Sequence, residues 1–333
     1  MKNPPAVSLP LKILSTGHAL PPTRVDSSEL DRRLGRKSGY VEKRSGVACR
    51  YHAGADASQS ELAAAALDDA LTRADIDPAS VDLLLYASAI AVQALPFSAA
   101  HVLRASRLPV GTAAFDINAS CVSFIQALQV AGGLLNGGAY RRIAIVSADL
   151  ASRGIDWADE ESALIFGDGA ACAIVERGDG SSGIIAGLLE TYPEGIEYCE
   201  IRAGGTRRNP RAGIADSDFL FHMDGRRIFR QASALIDDFF RRLLARSALQ
   251  LADLATVIPH QASHLSLEHM RRRLKVPNSV LIDIYRERGN QGAASIPSAL
   301  HAARVSGRLV PGRPALLIGT AAGLSLSGLT FLP

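Results

Sequence analysis

Phe115-Asp116-Ile117-Asn118-Ala119-Ser120-Cys121-Val122-Ser123-Phe124-Ile125 joins a short apolar run to a polar corner and then to a long apolar segment. Ala113 to Ile117 has the character of a buried strand. From Val122 onward, Phe124, Ile125, Leu128, Val130 and Leu134 recur at helical rather than alternating intervals, and the pattern ends at Gly132-Gly133 and Asn136-Gly137-Gly138. A cysteine at this corner stands at a helix N-terminus. Unpaired amides and a macrodipole equivalent to roughly half a positive charge favour an anion there. Free cysteine titrates near pH ~8.5 and helix N-termini lower that value, so Cys121 suits a thiolate nucleophile. It suits equally a small residue packing a strand against a helix. The corner alone leaves both readings open.

The chain has 333 residues, enough for two intimately packed halves or one large domain. Its 47% hydrophobic and 21% charged residues describe a globular protein and exclude wholesale disorder. With 36 Lys+Arg against 33 Asp+Glu the net charge is +3, far from the strongly basic balance of a nucleic-acid binder. Cys49, Cys121, Cys172 and Cys199 show no CxxC spacing, which indicates neither a zinc site nor a disulfide framework and fits a reducing cytoplasm. Met1 to Pro10 lacks the features of a signal peptide, and no apolar run is long enough to span a bilayer, so a soluble, cytoplasmic protein with no membrane partner is expected.

Working outward, Leu11 to Ser15 reads as a strand, Gly17-His18-Ala19-Leu20-Pro21-Pro22 as a turn, and Ser27 to Leu34 as a short helix. Arg32, Arg33, Arg36, Lys37, Lys43, Arg44 and Arg50 surround Tyr40, a pattern that fits either phosphates beside a stacked ring or a solvated face. Ser60 to Ala74 is an alanine-rich helix, Val81 to Ala87 an apolar strand, Ser98 to Ser106 a helix behind Leu95-Pro96-Phe97, and Arg142 to Ala148 another strand. Ser152 to Ser162, with Arg153, Trp157 and several acids, reads as a surface loop or short helix. Gly167-Asp168-Gly169 reads as a tight turn, and without a surrounding GxxxxGK[ST] pattern it is a poor phosphate loop. Glycine, proline and arginine dominate Gly178 to Asp218, most of all Gly204 to Pro210. The boundary is placed there, giving an N-terminal half 1–178 and a C-terminal half 179–333. Beyond it come a long helix from Ile228 to Leu249, a strand from Ala255 to Ile258 ending in Pro259-His260-Gln261, a basic helix with Arg271-Arg272-Arg273, and a strand from Val280 to Ile284.

The halves echo each other. Phe115 to Ile117, a corner and the helix to Leu135 match Leu281 to Ile284, the corner Gly289-Asn290-Gln291-Gly292 and the helix to Val305; Ile143 to Val146 and Ala315 to Ile318 follow in turn. Repeated β/α units of like order predict a duplicated α/β architecture with buried central sheets. Cys121 and Asn290 occupy comparable corners, so pseudo-twofold packing brings them together. His260 follows a strand, where side chains project into a crevice at the sheet end. Singly, His260 reads as a surface or core histidine and Asn290 as a cap or turn residue.

Together these segments resemble a known family. Gly17 to Pro21, Lys43-Arg44-Ser45-Gly46-Val47, Asp116 to Phe124, Ile165-Phe166-Gly167-Asp168-Gly169-Ala170, Pro259-His260-Gln261-Ala262, and Gly289-Asn290 with Ala293-Ala294-Ser295 are similar, in order and over nearly the whole chain, to the thiolase-fold condensing enzymes of the ketoacyl-acyl-carrier-protein synthase III type. The resemblance implies a five-layered α-β-α-β-α fold and a homodimer. It also implies a ping-pong reaction with no bound cofactor and no metal. Cys121 takes an acyl group from acyl-CoA, backbone amides of Cys121 and Ala322 form the oxyanion hole, and His260 and Asn290 stabilise the enolate left by a decarboxylating malonyl thioester. By the same resemblance Tyr40, Arg44 and Arg153 lie at the nucleotide end of the CoA passage, with Ser263 beside the substrate. Arg271, Arg272 and Arg273 offer a face to an acyl carrier protein.

Departures from the family pattern are Ser263 in place of asparagine, Thr320-Ala321-Ala322 in place of phenylalanine and glycines, and Leu95 in place of a phenylalanine that closes the partner's acyl pocket. Leu95 and Thr320 therefore imply a roomier acyl pocket, a primer that is long, branched or otherwise unusual, and a specialised rather than housekeeping role. The alternatives are acyl transfer from Cys121 to an alcohol or amine, and a non-catalytic partner that binds carrier protein. An unrelated cysteine hydrolase is disfavoured by the absence of a Gly-x-Cys-x-Gly or Cys-Gly-Ser-Cys-Trp context.

Overall fold

Two five-stranded sheets face each other across a pair of buried helices. A computed structural model describes residues 5–333. In chain order it contains β1 (Leu9–Pro10), β2 (Lys12–Ala19), β3 (Thr23–Asp26), α1 (Ser27–Arg33), α2 (Tyr40–Ser45), β4 (Cys49–His52), α3 (Gln59–Arg73), β5 (Leu83–Ala87), α4 (Ser98–Ala105), β6 (Ala113–Ile117), α5 (Ser123–Asn136), β7 (Arg142–Asp149), α6 (Glu160–Ala163) and β8 (Gly169–Glu176). There follow β9 (Gly183–Thr191), β10 (Cys199–Glu200), β11 (His222–Met223), α7 (Gly225–Arg246), β12 (Thr256–Pro259), α8 (His264–Arg273), α9 (Tyr285–Arg288), α10 (Ser295–Val305), β13 (Ala315–Ala321) and β14 (Ser325–Leu332).

The first sheet runs β2-β8-β7-β5-β6 and the second β1-β9-β14-β13-β12. In each, parallel strands (β7, β5 and β6; β13 and β12) adjoin an antiparallel pair, so the sequence echo is a structural repeat. The core between the sheets is filled by α5 and α10. Phe124, Ile125, Ala127, Leu128 and Ala131 of α5 and Ile296, Ala299, Leu300 and Ala303 of α10 are fully buried against strands of both sheets. Outside the first sheet, α3 and α4 bury Ala63, Ala66, Leu67, Ala70 and Val102; outside the second, α7 buries Ile236, Phe239, Phe240 and Leu243 and turns its arginines outward, Arg242 half-buried against Glu190. Helices buried over most of their surface thus form the central layer and one-sided helices the outer two, giving the five-layered α-β-α-β-α fold.

Several expectations are corrected. Gly17-His18-Ala19 is no turn: it continues β2 and pairs with Ala170 to Cys172. Gly17 is required by close packing, since a Cβ there would sit 2.1 Å from the Ala66 carbonyl and 2.3 Å from the Ala70 amide of α3. Ala113 to Ile117 is a strand, but at the sheet edge and half-exposed, with Phe115 38% exposed. Val280 to Ile284 forms only an isolated bridge, Leu281 to Val257, because Gln261 Oε1 takes the Ile284 amide and Asp283 Oδ1 the Tyr285 amide. The glycines of Gly167-Asp168-Gly169 serve close contact, not a tight turn: Cβ atoms there would lie 2.1 Å from the Arg288 carbonyl and 1.9 Å from Gln291 Nε2. The chain passes from one sheet to the other between Glu176 and Gly183, and Gly204 to Pro210 lies in an excursion between β9 and α7.

Gly17→Ala is expected to cost about 1–3 kcal/mol or more, because backbone rather than a flexible side chain must give way. Gly54→Ala, where an added Cβ meets nothing within 4 Å, is expected to stay within about 0.5 kcal/mol. Urea-denaturation midpoints of the two variants check the contrast.

Candidate active site

The corner before α5 is held by its own polar side chains. Ser120 adopts a left-handed backbone (φ +52°), which an L-residue tolerates only when its surroundings hold it there. Asn118 Oδ1 accepts its amide at 2.9 Å, Ser123 Oγ accepts the Ala119 amide at 2.8 Å, and the Ser123 hydroxyl lies 2.7 Å from the Ser120 carbonyl. The turn presents Cys121 just outside the first residue of α5. Cys121 keeps some exposed surface, while its sulfur is packed as closely as a core group.

That packing reverses the expected titration. Burial pushes the Cys121 thiol up to about 12, the charge of Asp149 adds to the rise, and hydrogen bonds from the amides of Ala322 and Cys121 act against it. Desolvation outweighs the helix terminus, so the resting residue is a thiol rather than the thiolate the corner suggested. The two opposing amides are the pair implied for the oxyanion hole. Ala322 sits in the β13–β14 hairpin, whose tip places Gly323 at φ +90°.

His260 directly follows β12, its amide bonded to the Ile318 carbonyl at 2.8 Å. Its side chain is buried, Nδ1 has no partner, and burial lowers the imidazole to about 4, so it is neutral at pH 7. Gly319 on β13 allows the approach to the cysteine corner: a Cβ there would lie 2.9 Å from His260 Cβ and 3.2 Å from Val122 Cγ1.

Asn290 lies between Gly289 (φ +66°) and Gly292 (φ +58°). Its amide bonds the Ile165 carbonyl at 2.8 Å and its carbonyl accepts the Gly167 amide at 3.0 Å, which ties the corner to the Ile165–Gly169 segment. Its Oδ1 accepts the Gly292 amide at 3.0 Å and Nδ2 donates to Ala262 O at 3.2 Å, two residues beyond His260. The second Nδ2 hydrogen takes no part in these bonds. Backbone contacts thus gather all three corners at one place between the sheets.

The remaining residues fall elsewhere. Tyr40 donates to Glu160 Oε2 at 2.7 Å, with Arg36 paired to the same carboxylate and stacked 5.1 Å over the ring; the Tyr40 and Arg36 bonds hold Glu160 below the usual carboxylate range. Arg153 does not join this group, since it donates to the carbonyls of Ala55 (3.0 Å) and Ala57. Arg44 is exposed on α2. Ser263 caps α8, accepting the Ser266 amide at 3.1 Å and donating to Ser266 Oγ at 2.8 Å, so its hydroxyl is already engaged. Arg271 and Arg272 pair with Glu268, and Arg273 with Asp237. Leu95 is 84% exposed, and Thr320 is half-buried near the end of β13. Among the described residues no three His, Cys, Asp or Glu side chains cluster as metal ligands. Two open clefts, one beside Gln129, Leu189 and Arg246 and one beside Glu200, Arg207 and Arg227, include none of the three corner residues in their lining.

The family models 3-oxoacyl-[acyl-carrier-protein] synthase III and its C-terminal counterpart match residues 115–193 and 244–332, the stretches that carry the cysteine corner and the His and Asn corners. The chain belongs to the 3-oxoacyl-[acyl-carrier-protein] synthase III family. This synthase is 30% identical over 320 residues to the beta-ketoacyl-[acyl-carrier-protein] synthase III of Syntrophomonas wolfei, covering 96% of each chain. It is 34% identical over 317 residues to the 3-oxopimeloyl-[acyl-carrier-protein] synthase of Rhodothermus marinus, covering 94% of this chain and 90% of the relative. The crystal structure of the Aquifex aeolicus 3-oxoacyl-[acyl-carrier-protein] synthase III superposes with a TM-score of 0.86 at 27% identity, covering 97% and 100% of the two chains. The synthase is accordingly an acyl-transferring condensing enzyme.

Two features of the site escaped the sequence. Asp149, buried beside the cysteine, could be singled out only as one acid ending an otherwise apolar strand, and Glu160 is the acid that meets Tyr40 where Arg153 was expected.

Because burial lowers His260 to about 4, the imidazole is expected to add no step to the decarboxylation of a malonyl thioester between pH 8 and about 5, whereas buried Asp149, raised to about 7, is expected to add one. Carbon dioxide release from pH 8 to 4 by Asp149→Asn, which lacks that second group, checks this; a midpoint near 6.5 remaining in the variant would show an imidazole in contact with water.

Proposed function

We propose that Cys121 is the acyl-carrying nucleophile and that His260 and Asn290 are the donor pair for the enolate. The observation that carries the reading is the convergence of a thiol faced by two backbone amides with a neutral imidazole and a carboxamide that has a free N–H. In the first half-reaction the Cys121 sulfur attacks the acyl-CoA carbonyl. The developing oxyanion is received by the amides of Cys121 and Ala322, and CoA leaves as its thiol with the proton that Cys121 gives up.

In the second half-reaction a malonyl thioester binds with its thioester oxygen toward the His260 and Asn290 N–H groups. Its C–C bond to the carboxylate breaks, carbon dioxide departs, and the electron pair is held as an enolate. The enolate carbon attacks the acyl carbonyl, and collapse of the tetrahedral oxyanion releases the 3-oxoacyl thioester and expels Cys121 as a thiolate, which takes a proton from solvent to return to the resting thiol. Neutral donors suit this step: a charged imidazolium would cost desolvation, and the amide cannot act as a competing base. Transfer to an alcohol or amine has no use for the Asn290 donor.

Acyl-CoA and a malonyl thioester are substrates in this reading, and no resident cofactor is invoked. The exposed cation of Arg44 and the ring of Tyr40 remain the candidates for the CoA nucleotide; Arg153 and Ser263, both engaged within the chain, are weaker ones. An acyl carrier protein would dock on Arg271, Arg272 and Arg273, in competition with Glu268 and Asp237. The exposed Leu95 and the Thr320 side chain support a roomier acyl pocket and a specialised primer. The half-exposed edge strand β6, with Phe115, Leu95, Phe97 and Val110 in solvent, supports a homodimer joined along that edge. We place the halves at 1–178 and 179–333. No helix among the described residues is long and apolar enough to cross a membrane, and the four free cysteines fit the cytoplasm.

Intact-protein mass spectrometry with a panel of acyl-CoAs, followed by malonyl-CoA or malonyl carrier protein, tests the reading. A Cys121-dependent adduct that disappears as a 3-oxo product forms is the expected result and names the primer. Cys121→Ala should form no adduct, whereas His260→Ala and Asn290→Ala should acylate nearly as the parent does while condensation collapses. Normal condensation by Asn290→Ala would overturn the assignment of that residue.

A further inference from the structure

We propose that Asp149 is a positioning residue, whose carboxylate clamps the loop after β5 to the segment after Asn290 and so fixes the Asn290 carboxamide relative to Cys121. Asp149 ends β7 and is fully buried. Its Oδ1 accepts the Ile90 amide at 3.0 Å; its Oδ2 accepts the Ala293 amide at 2.7 Å and the Ala89 amide at 3.3 Å. Three amides from chain segments about 60 and 144 residues away thus converge on one carboxylate.

Each clamped segment leads directly to a reacting group. On one side, the Ala89 carbonyl accepts Asn118 Nδ2 at 3.3 Å and the Ser88 carbonyl lies 3.2 Å from Ser123 Oγ, and Asn118 and Ser123 are the two side chains that hold the Cys121 corner. On the other, Gly292, next to Ala293, gives its amide to Asn290 Oδ1 and so orients the carboxamide. Gly292 also lets the carboxylate approach, since a Cβ there would lie 2.5 Å from Asp149 Oδ2. A continuous run of bonds joins the nucleophile corner to the enolate donor, and Asp149 is the link that crosses between them.

A carboxylate held only by amides in a dry interior also acts electrically. Burial raises Asp149 to about 7, and its charge contributes to the rise at Cys121. The other ionisable groups facing it are Tyr86 on β5 and Asp168 just before β8. The clamp therefore has two separable effects: it places Asn290 and it opposes thiolate at Cys121.

The proposal rests on the condensing mechanism above, and the test separates the two. Decarboxylation of malonyl-CoA and alkylation of Cys121 by iodoacetamide at pH 7.5 are measured for the parent, Asp149→Asn and Asp149→Glu, with thermal unfolding as a check of folding. In Asp149→Asn an NH2 group must meet an amide N–H, so decarboxylation is expected to fall about 10- to 100-fold, while loss of the charge speeds alkylation. A structural lesion that admits water to Cys121 would also speed alkylation, so the contrast is read in a variant that unfolds at the parent's temperature, where the packing is kept and only the charge is lost. Asp149→Glu keeps the charge but displaces it, so decarboxylation should fall without faster alkylation; this variant alone decides the matter if Asp149→Asn does not fold. Decarboxylation within twofold of the parent in a folded variant would overturn the proposal. Parent decarboxylation that is indifferent to Asn290→Ala would instead overturn the condensing assignment on which it rests.

Discussion

Desolvation between the two sheets governs this protein. Because α5 and α10 are buried on nearly every side, any polar group at their N-terminal ends leaves water and must be neutral or bonded. The consequence appears three times at one place: the Cys121 thiol keeps its proton, the His260 imidazole gives its up, and the Asp149 carboxylate gathers three amides. Each of these groups would titrate ordinarily on the surface. Their altered states come from the same layer packing that makes the fold, so architecture and chemistry have one origin.

Much of the site was legible in the sequence because the chain repeats itself. The corner after Phe115–Ile117 and the corner after Leu281–Ile284 announced themselves as equivalents, and the packing of α5 beside α10 made the equivalence spatial. Individual glycines misled where their role is contact rather than conformation. Gly17 reads as a chain breaker and sits mid-strand because α3 presses on it; Gly167 and Gly169 read as a turn and instead admit the Asn290 segment. Burial was also hard to read. Ala113–Ile117 has a core composition yet lies at the sheet edge, and Val280–Ile284 has a strand composition whose hydrogen bonds go to Gln261 and Asp283. Long-range polar pairing left no local trace at all, which is why Asp149 and Glu160 went unnoticed while Cys121 and His260 did not.

Glu160 alters the picture at the basic surface around Tyr40. The sequence gathers cations there, and in the fold one of them, Arg36, is shared between the tyrosine ring and a carboxylate. Exposed ion pairs of this kind contribute little to stability, but they fix the local sign of the charge. Among the described residues Arg44, unlike Arg36, makes no ion pair, and with the exposed Lys37 and Lys43 it can meet an incoming anion. On α8 the same economy holds, with Glu268 restraining Arg271 and Arg272.

The short pairing of Leu9–Pro10 with β9 carries a consequence for how the chain is made. Every other strand of the second sheet lies beyond residue 182, whereas this one is synthesised before any strand of the first. It has no partner in its sheet until β9 has emerged, so the second sheet fastens Leu9 and Pro10 to neighbours about 175 residues later. That sheet edge therefore closes only after more than half of the chain has been made, and the two halves are held together by a strand that the first lends to the second sheet as well as by the helices they share.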